Sequence, residues 1–94
     1  MEAQLKDKIP FKSTDTASRI IEGQAVVIHL KKQPAEINIF NQTGTRVWEL
    51  LDGKRTIEEI VREIYEEFEI SRGEAFAEVA KFILNLGKKD LISF

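Results

Sequence analysis

Three stretches in the first half of the chain have a β-like pattern of hydrophobic and polar positions, and they cover residues 19–21, 24–30 and 35–40. The first two are rich in β-branched residues, and the third alternates with a period of two, as in a β-strand that has one buried face. Glu22-Gly23 separates the first two stretches, and a segment ending in Pro34 separates the second from the third. Glycine supplies the positive φ of a tight corner, and proline interrupts a strand because it has no amide donor. The pattern predicts three antiparallel strands.

The third stretch matters most because it can lie at the edge of the sheet. A period of two places its side chains alternately on the two faces, with Ala35, Ile37 and Ile39 on one face and Glu36, Asn38 and Phe40 on the other. One of these faces is expected to be core. At an edge, the unpaired backbone groups of the strand can bind an extended peptide by strand addition.

Helical periodicity replaces the alternation after Phe40. The first predicted helix ends at Asp52-Gly53, the third ends near Lys88, and Leu91-Ile92 is expected to add a closing β-bridge. The predicted N-terminal caps are Asn41 or Thr43 for the first helix, the box Thr56 to Glu59 for the second, and the box Ser71 to Glu74 for the third. The element order β-β-β-α-α-α predicts an α+β fold, with a three-stranded antiparallel sheet followed by a three-helix bundle.

Length and composition limit the choices further. A chain of 94 residues has apolar surface for one core, so we expect an irregular lead-in over 1–16 and a single domain over 17–94. The absence of cysteine and of a long apolar run favours a cytoplasmic protein that does not enter a membrane. With a net charge of −2 and interleaved charges, nucleic acid is not an expected partner.

Catalytic chemistry finds little support in the residues. His29 is the sole histidine, and the chain offers neither a nucleophile and base pair nor metal-ligand spacing. We therefore expect a binding protein with no cofactor and no metal, not an enzyme. Trp48 is expected in the core, and the glutamates of the second helix on a solvated face.

The third helix carries more apolar surface than one core contact needs. At about 100° per residue, apolar or small residues cover roughly 260° of its circumference. One flank contains Phe76, Ala80, Ile83 and Leu84, and the other contains Ala75, Val79, Phe82 and Leu86. Three interpretations stay open: the sheet and the other helices cover both flanks, one flank forms a peptide-binding groove, or a second copy covers it in a homodimer.

The stretch from Phe40 to Gly53, with Asn41-Gln42-Thr43-Gly44 followed by Trp48 and then by Leu50-Leu51-Asp52-Gly53, resembles the coenzyme PQQ synthesis protein D family. The likeness extends from about residue 17 to the C-terminus. It implies a winged-helix-like domain that binds the leader segment of a ribosomally made precursor peptide. Such a domain presents the leader to a modifying enzyme, often a radical S-adenosylmethionine enzyme, in pyrroloquinoline quinone synthesis or in another pathway.

The resemblance also implies where the peptide would bind. The strand contacts carried over by position are Glu36, Ile37, Asn38, Ile39 and Phe40, and the helix contacts are Val79, Phe82, Ile83 and Leu86. The alternative is a winged helix-turn-helix DNA-binding regulator whose third helix enters the major groove. That helix offers few basic residues beside Glu74 and Glu78, which argues against this alternative.

Overall fold

The fold was analysed in a computed structural model that describes residues 5–94. The strands are β1 (Phe11–Lys12), β2 (Thr16–Ile21), β3 (Gln24–His29), β4 (Ile37–Ile39) and β5 (Ile92–Ser93). The helices between β4 and β5 are α1 (Gln42–Leu50), α2 (Ile57–Phe68) and α3 (Arg72–Lys88). No helix in this range is both long and apolar enough to span a bilayer.

Strands β2, β3 and β4 form an antiparallel sheet in the order β2-β3-β4, so β4 lies at an edge. The corner between β2 and β3 has φ values of 51° at Glu22 and 81° at Gly23, as in the turns that match the twist of a two-residue hairpin. Strand β5 pairs with β1 in a separate two-stranded ladder. The predicted α+β fold, with three antiparallel strands before the helices, is confirmed.

The predicted helix caps form because each is a local interaction. Asn41 Oδ1 accepts a 2.8 Å hydrogen bond from the Gly44 amide, and Thr56 and Glu59 form a complete capping box at α2. At α3, Ser71 Oγ accepts from the Glu74 amide at 3.1 Å. The Glu74 carboxylate takes its hydrogen bond from the Ser71 hydroxyl, so this cap is simpler than the predicted box.

The core lies between the inner face of the sheet and the three helices. Helix α3 contributes a central stripe of four buried side chains, Ala75, Val79, Ile83 and Leu86. Three of these four residues belong to the predicted flank of Ala75, Val79, Phe82 and Leu86, and Ile83 comes from the other flank. The leftover apolar surface lies along the two margins of the stripe, where Phe76 and Phe82 are half-buried.

The segment predicted as an irregular lead-in runs along the domain wherever the structure describes it. Pro10 is buried, β1 pairs with β5, and the Ile57 amide donates to the Lys8 carbonyl at 2.9 Å. Residues 1–4 lie outside the described part. The boundary between lead-in and domain stays a prediction, although residues 5–16 share backbone hydrogen bonds with α2 and with the segment around β5.

Ion pairs cross the surface between α1 and α2. Arg46 donates to Glu67 through Nε at 2.8 Å and through Nη2 at 2.9 Å, which makes a bidentate pair. This hydrogen bonding raises the pKa of the Arg46 guanidinium and lowers the pKa of the Glu67 carboxyl. Arg55 Nε pairs with Glu63 at 2.9 Å. The acidic face of α2, predicted to be solvated, therefore also holds the helices together.

Candidate functional site

The free edge of β4 presents backbone groups that take no part in the sheet. The Phe40 amide donates to the Ala25 carbonyl at 3.0 Å, and Asn38 lies opposite Val27 in the same ladder. Residues of an antiparallel pair alternate between those that bond the partner strand and those whose N–H and C=O point away from it. The backbone groups of Ile37 and Ile39 therefore point outward, and no further strand within residues 5–94 pairs with them.

The faces of β4 do not follow side-chain polarity, because the polar Asn38 lies on the buried face and two isoleucines lie on the exposed face. Asn38 and Phe40 face the core and are 7% and 8% exposed, whereas Ile37 and Ile39 are 66% and 63% exposed. The Asn38 amide is tolerated there because it is hydrogen-bonded: Nδ2 donates to the Val27 carbonyl at 3.3 Å. The alternation of β4 was predicted, and the structure adds that the isoleucines form its outer face.

The outward isoleucines continue across the sheet. Ile39 lies opposite Val26 and Ile37 lies opposite Ile28, and all four side chains share the outer face. Val26 and Ile28 are half-buried by their neighbours. This outer face is an apolar surface next to the free edge.

A groove of about 620 Å³ opens beside the end of β4, between the N-terminus of α1 and the outer side of α3. Its apolar centre is Phe82, whose ring meets the Phe40 ring edge to face with centroids 4.8 Å apart. Gly44 allows the Phe82 ring to lie close to the backbone of α1, because a Cβ at Gly44 would lie 3.0 Å from Phe82 Cε1. The full lining is Asn41, Thr43, Gly44, Val47, Glu78, Lys81, Phe82, Leu84, Asn85 and Lys88.

The rim of the groove is more basic than acidic. Lys81 and Lys88 line it against the single carboxylate of Glu78. A third lysine, Lys89, stands where α3 meets β4, and its Nζ donates to Asn38 Oδ1 at 2.7 Å. Apolar contact and positive charge thus lie side by side in the groove, and Lys89 adds a further positive charge at β4.

The predicted site residues divide into two groups. Residues 36–40 lie on or beside the edge strand, and Phe82 lines the groove. Val79, Ile83 and Leu86 are 0%, 0% and 1% exposed, so the chain's own core already surrounds them. They are not among the residues that line the groove, and their role as peptide contacts stays a prediction.

Several lining residues were missed at the sequence level. Lys81, Asn85 and Lys88 follow one another along α3 at spacings of four and three residues, and of these only Asn85 lies at helical spacing from Phe82. Gly44 was noted only as part of a motif. A glycine inside a helix costs stability relative to alanine, so its presence there suggests that another group lies too close for a Cβ. The structure supplies that group, the Phe82 ring.

Within residues 5–94 the structure brings no three histidine, aspartate or glutamate side chains together as a metal site. Asp52 serves the turn after α1, where Oδ1 accepts from the Lys54 and Arg55 amides at 2.9 and 3.0 Å. These hydrogen bonds lower the pKa of the Asp52 carboxyl. His29 Nδ1 accepts from the Lys31 amide at 3.1 Å.

The model of the coenzyme PQQ synthesis protein D (PqqD) family matches residues 24–92, which contain the sheet edge, the groove and all three helices. The chain belongs to this family. The resemblance noted in the sequence is therefore confirmed. A search of curated proteins found no match.

Two solved structures share the fold. One is TbiB1 in complex with the TbiA(beta) leader peptide, which is 28% identical with a TM-score of 0.79, over 88% of this chain and 94% of that one. The other is a lasso peptide synthetase B1 complexed with the leader peptide, with a TM-score of 0.80 over 93% of this chain and 100% of that one. The second is 13% identical, so it bears on the fold alone.

Proposed function

We propose that this PqqD-family protein binds the leader segment of a ribosomally synthesised precursor peptide and presents it to a modifying enzyme. The observation that carries the proposal is the free edge of β4, where the N–H and C=O groups of Ile37 and Ile39 point outward, followed along the chain by a groove whose lining begins at Asn41. An extended peptide would complete this edge by strand addition and place alternate side chains against the groove. Main-chain pairing then supplies affinity, and the groove supplies selectivity.

The family membership and the TbiB1 complex support this function. TbiB1 was solved with a leader peptide and shares the fold over nearly its whole length. In our proposal the peptide pairs with residues 36–40 and covers the exposed part of Phe82. Val79, Ile83 and Leu86 act from below by fixing the position of α3.

The chemistry belongs, in this proposal, to a separate modifying enzyme. We infer a cytoplasmic carrier that takes part in no bond-making step. A radical S-adenosylmethionine enzyme is the partner that the family resemblance favours. The pathway is that of pyrroloquinoline quinone or of another modified peptide.

A titration tests the binding proposal directly. Labelled protein is mixed with leader peptides encoded beside its gene, and amide shifts are followed. We expect shifts at residues 36–40 and around Phe82, but few in α2. Shifts confined to α2, or binding of duplex DNA without any peptide binding, would overturn the proposal.

The variant Ile39→Pro tests strand addition in particular. Proline removes an N–H that points away from β3, so the internal ladder stays intact while one hydrogen bond to the peptide is lost. We expect affinity to fall by at least about tenfold with little change in melting temperature. The control Ile39→Thr keeps the N–H and a β-branched side chain, and it should retain most of the affinity. Equal affinity of the proline variant and the control would exclude pairing at this position.

A homodimer is a second candidate use of the same surface. Ile37 and Ile39 are the most exposed isoleucines of the outer face, and an edge strand can pair with a second copy of itself. Sedimentation over a range of concentrations tests this. A dimer that dissociates when the leader peptide is added would show that the two partners compete for β4. A dimer unaffected by peptide would place the contact elsewhere.

A further inference from the structure

The contact between Lys89 and Asn38 leaves a positive charge without an anion. Lys89 caps α3 and is half-buried, and its ammonium lies 2.7 Å from the amide oxygen of Asn38, which is itself 7% exposed. Within residues 5–94 no carboxylate pairs with Lys89, although the nearby Lys32 pairs with Asp90 at 3.8 Å. A cation partly removed from water is stabilised better by a carboxylate than by a neutral amide oxygen.

The groove likewise has more positive than negative side chains. Lys81 and Lys88 line it, and neither forms an ion pair within the described residues. Glu78 is the single acidic residue of the lining. Together with Lys89, this end of the free edge favours a negatively charged ligand group.

The register of β4 fixes where that group would sit. Asn38 and Phe40 are two residues apart and face the same side of the sheet. A strand added to the free edge would place one residue opposite each of them, with Cβ atoms about 4.5–5.5 Å apart. The residue opposite Asn38 adjoins Lys89, and the residue opposite Phe40 adjoins Phe82.

We propose that the bound peptide carries an aspartate or glutamate two residues away from the apolar side chain that fills the groove, and that Lys89 receives this carboxylate. The inference rests on the proposed peptide-binding function and adds the chemistry of the ligand. The spacing of two holds whether the peptide runs parallel or antiparallel to β4, because both side chains must lie on one face. The two peptide residues on the other face meet Ile37 and Ile39, which favours apolar or β-branched side chains there.

A selection experiment reads this preference without a known ligand. A display library of random twelve-residue peptides is selected in parallel against the wild-type protein, Lys89→Gln and Lys54→Gln. Lys54 is an exposed lysine in the loop after α1, so its variant controls for the loss of one charge. Each variant is first checked for an unchanged thermal melt. In the selections against the wild type and Lys54→Gln, we expect the enriched peptides to carry an acidic residue two positions from an apolar residue. The selection against Lys89→Gln should not enrich this pattern.

In a direct titration, changing the acid of a selected peptide to its amide should weaken binding to wild type by about tenfold. The same change should alter binding to Lys89→Gln by about twofold or less.

The outcomes separate this inference from the proposed function. Enriched peptides that bind at residues 36–40 without an acid at the stated spacing would overturn the inference alone. An acid preference that persists in Lys89→Gln would overturn the assignment to Lys89. Failure to enrich any peptide for the wild type over Ile39→Pro would overturn the proposed function itself.

Discussion

The Thr45 hydroxyl accepts a 2.8 Å hydrogen bond from the Ala25 amide. The same hydroxyl donates to the Phe40 carbonyl at 3.3 Å, so it stands between two backbone groups where the β3 to β4 ladder ends. Thr45 belongs to α1 and is buried, and it thereby ties the first helix to the edge strand. The position of the groove wall depends on this connection.

We predict that Thr45→Val destabilises the protein by about 1–3 kcal/mol, because the variant leaves the buried Ala25 amide without its acceptor. Thr45→Ser keeps the hydroxyl and loses one methyl group, so it should cost about 1 kcal/mol or less. Urea unfolding of both variants measures the difference. Equal losses would mean that packing of the methyl group, not the hydrogen bond, matters at this position.

Some features around the edge strand and the helices could be predicted from the sequence, and others could not. The cap at Asn41, the box at Thr56 and the turn at Glu22-Gly23 were predictable because each depends on interactions within a few residues. The edge position of β4 was an expectation that depended on strand order. Strand order is set by long-range pairing, here Val27 with Asn38.

The contacts of α3 could not be assigned by the same reasoning. Helical spacing showed a wide apolar arc, but which line along that arc meets the core depends on where α1 and α2 lie. Ile83 proved central to the core and Phe82 marginal, although they are adjacent in the sequence. Most of the other lining residues of α3 are polar, namely Glu78, Lys81, Asn85 and Lys88, and hydrophobic periodicity does not report them.

Substitution of Gly44 tests the structure of the groove wall, because helix propensity alone predicts the opposite change in stability. Alanine usually stabilises a helix interior by about 0.5–1 kcal/mol relative to glycine. At Gly44 the added Cβ would lie 3.0 Å from the Phe82 ring and 3.2 Å from Asn41 Oδ1, so we expect Gly44→Ala to destabilise and to weaken peptide binding. Gly87 in α3 is the control, because its Cβ would meet no atom within 4 Å. Gly87→Ala should stabilise or be neutral, and a stabilising Gly44→Ala would contradict the crowding seen here.

The pair between Arg46 and Glu67 predicts a pH-dependent contribution to stability. The hydrogen bond from Arg46 lowers the pKa of Glu67 in the folded state, so this stabilisation is complete above the usual glutamate pKa. It is lost as the pH falls through the lowered value. Because both side chains are about one-third exposed, we expect about 0.5–1 kcal/mol at neutral pH.

Urea unfolding of wild type and Glu67→Gln, repeated from pH 7 to acid, measures this contribution. The wild type should be more stable at pH 7, and the gap should close as the pH falls below the usual glutamate range. Glu66→Gln is the control, because Glu66 is exposed on the same helix and forms no ion pair within residues 5–94. A gap for Glu67→Gln that is independent of pH would mean that the charge of Glu67 is not its cause.

Phe82 and Phe76, on the two margins of α3, allow the effect of a mutation on peptide binding to be distinguished from its effect on stability. Phe82 lines the groove beside β4, whereas Phe76 lines a smaller cavity of about 290 Å³ near Val61 and Arg72. Both rings are half-buried against the core, so alanine at either position should cost a similar 1–2 kcal/mol or so in unfolding free energy. We expect peptide affinity to fall roughly tenfold or more for Phe82→Ala and to change by about twofold or less for Phe76→Ala. Calorimetric titration with a leader peptide decides between the margins. A larger loss with Phe76→Ala would move the peptide to the opposite side of α3, away from the free edge of β4, and strand addition could then no longer explain binding.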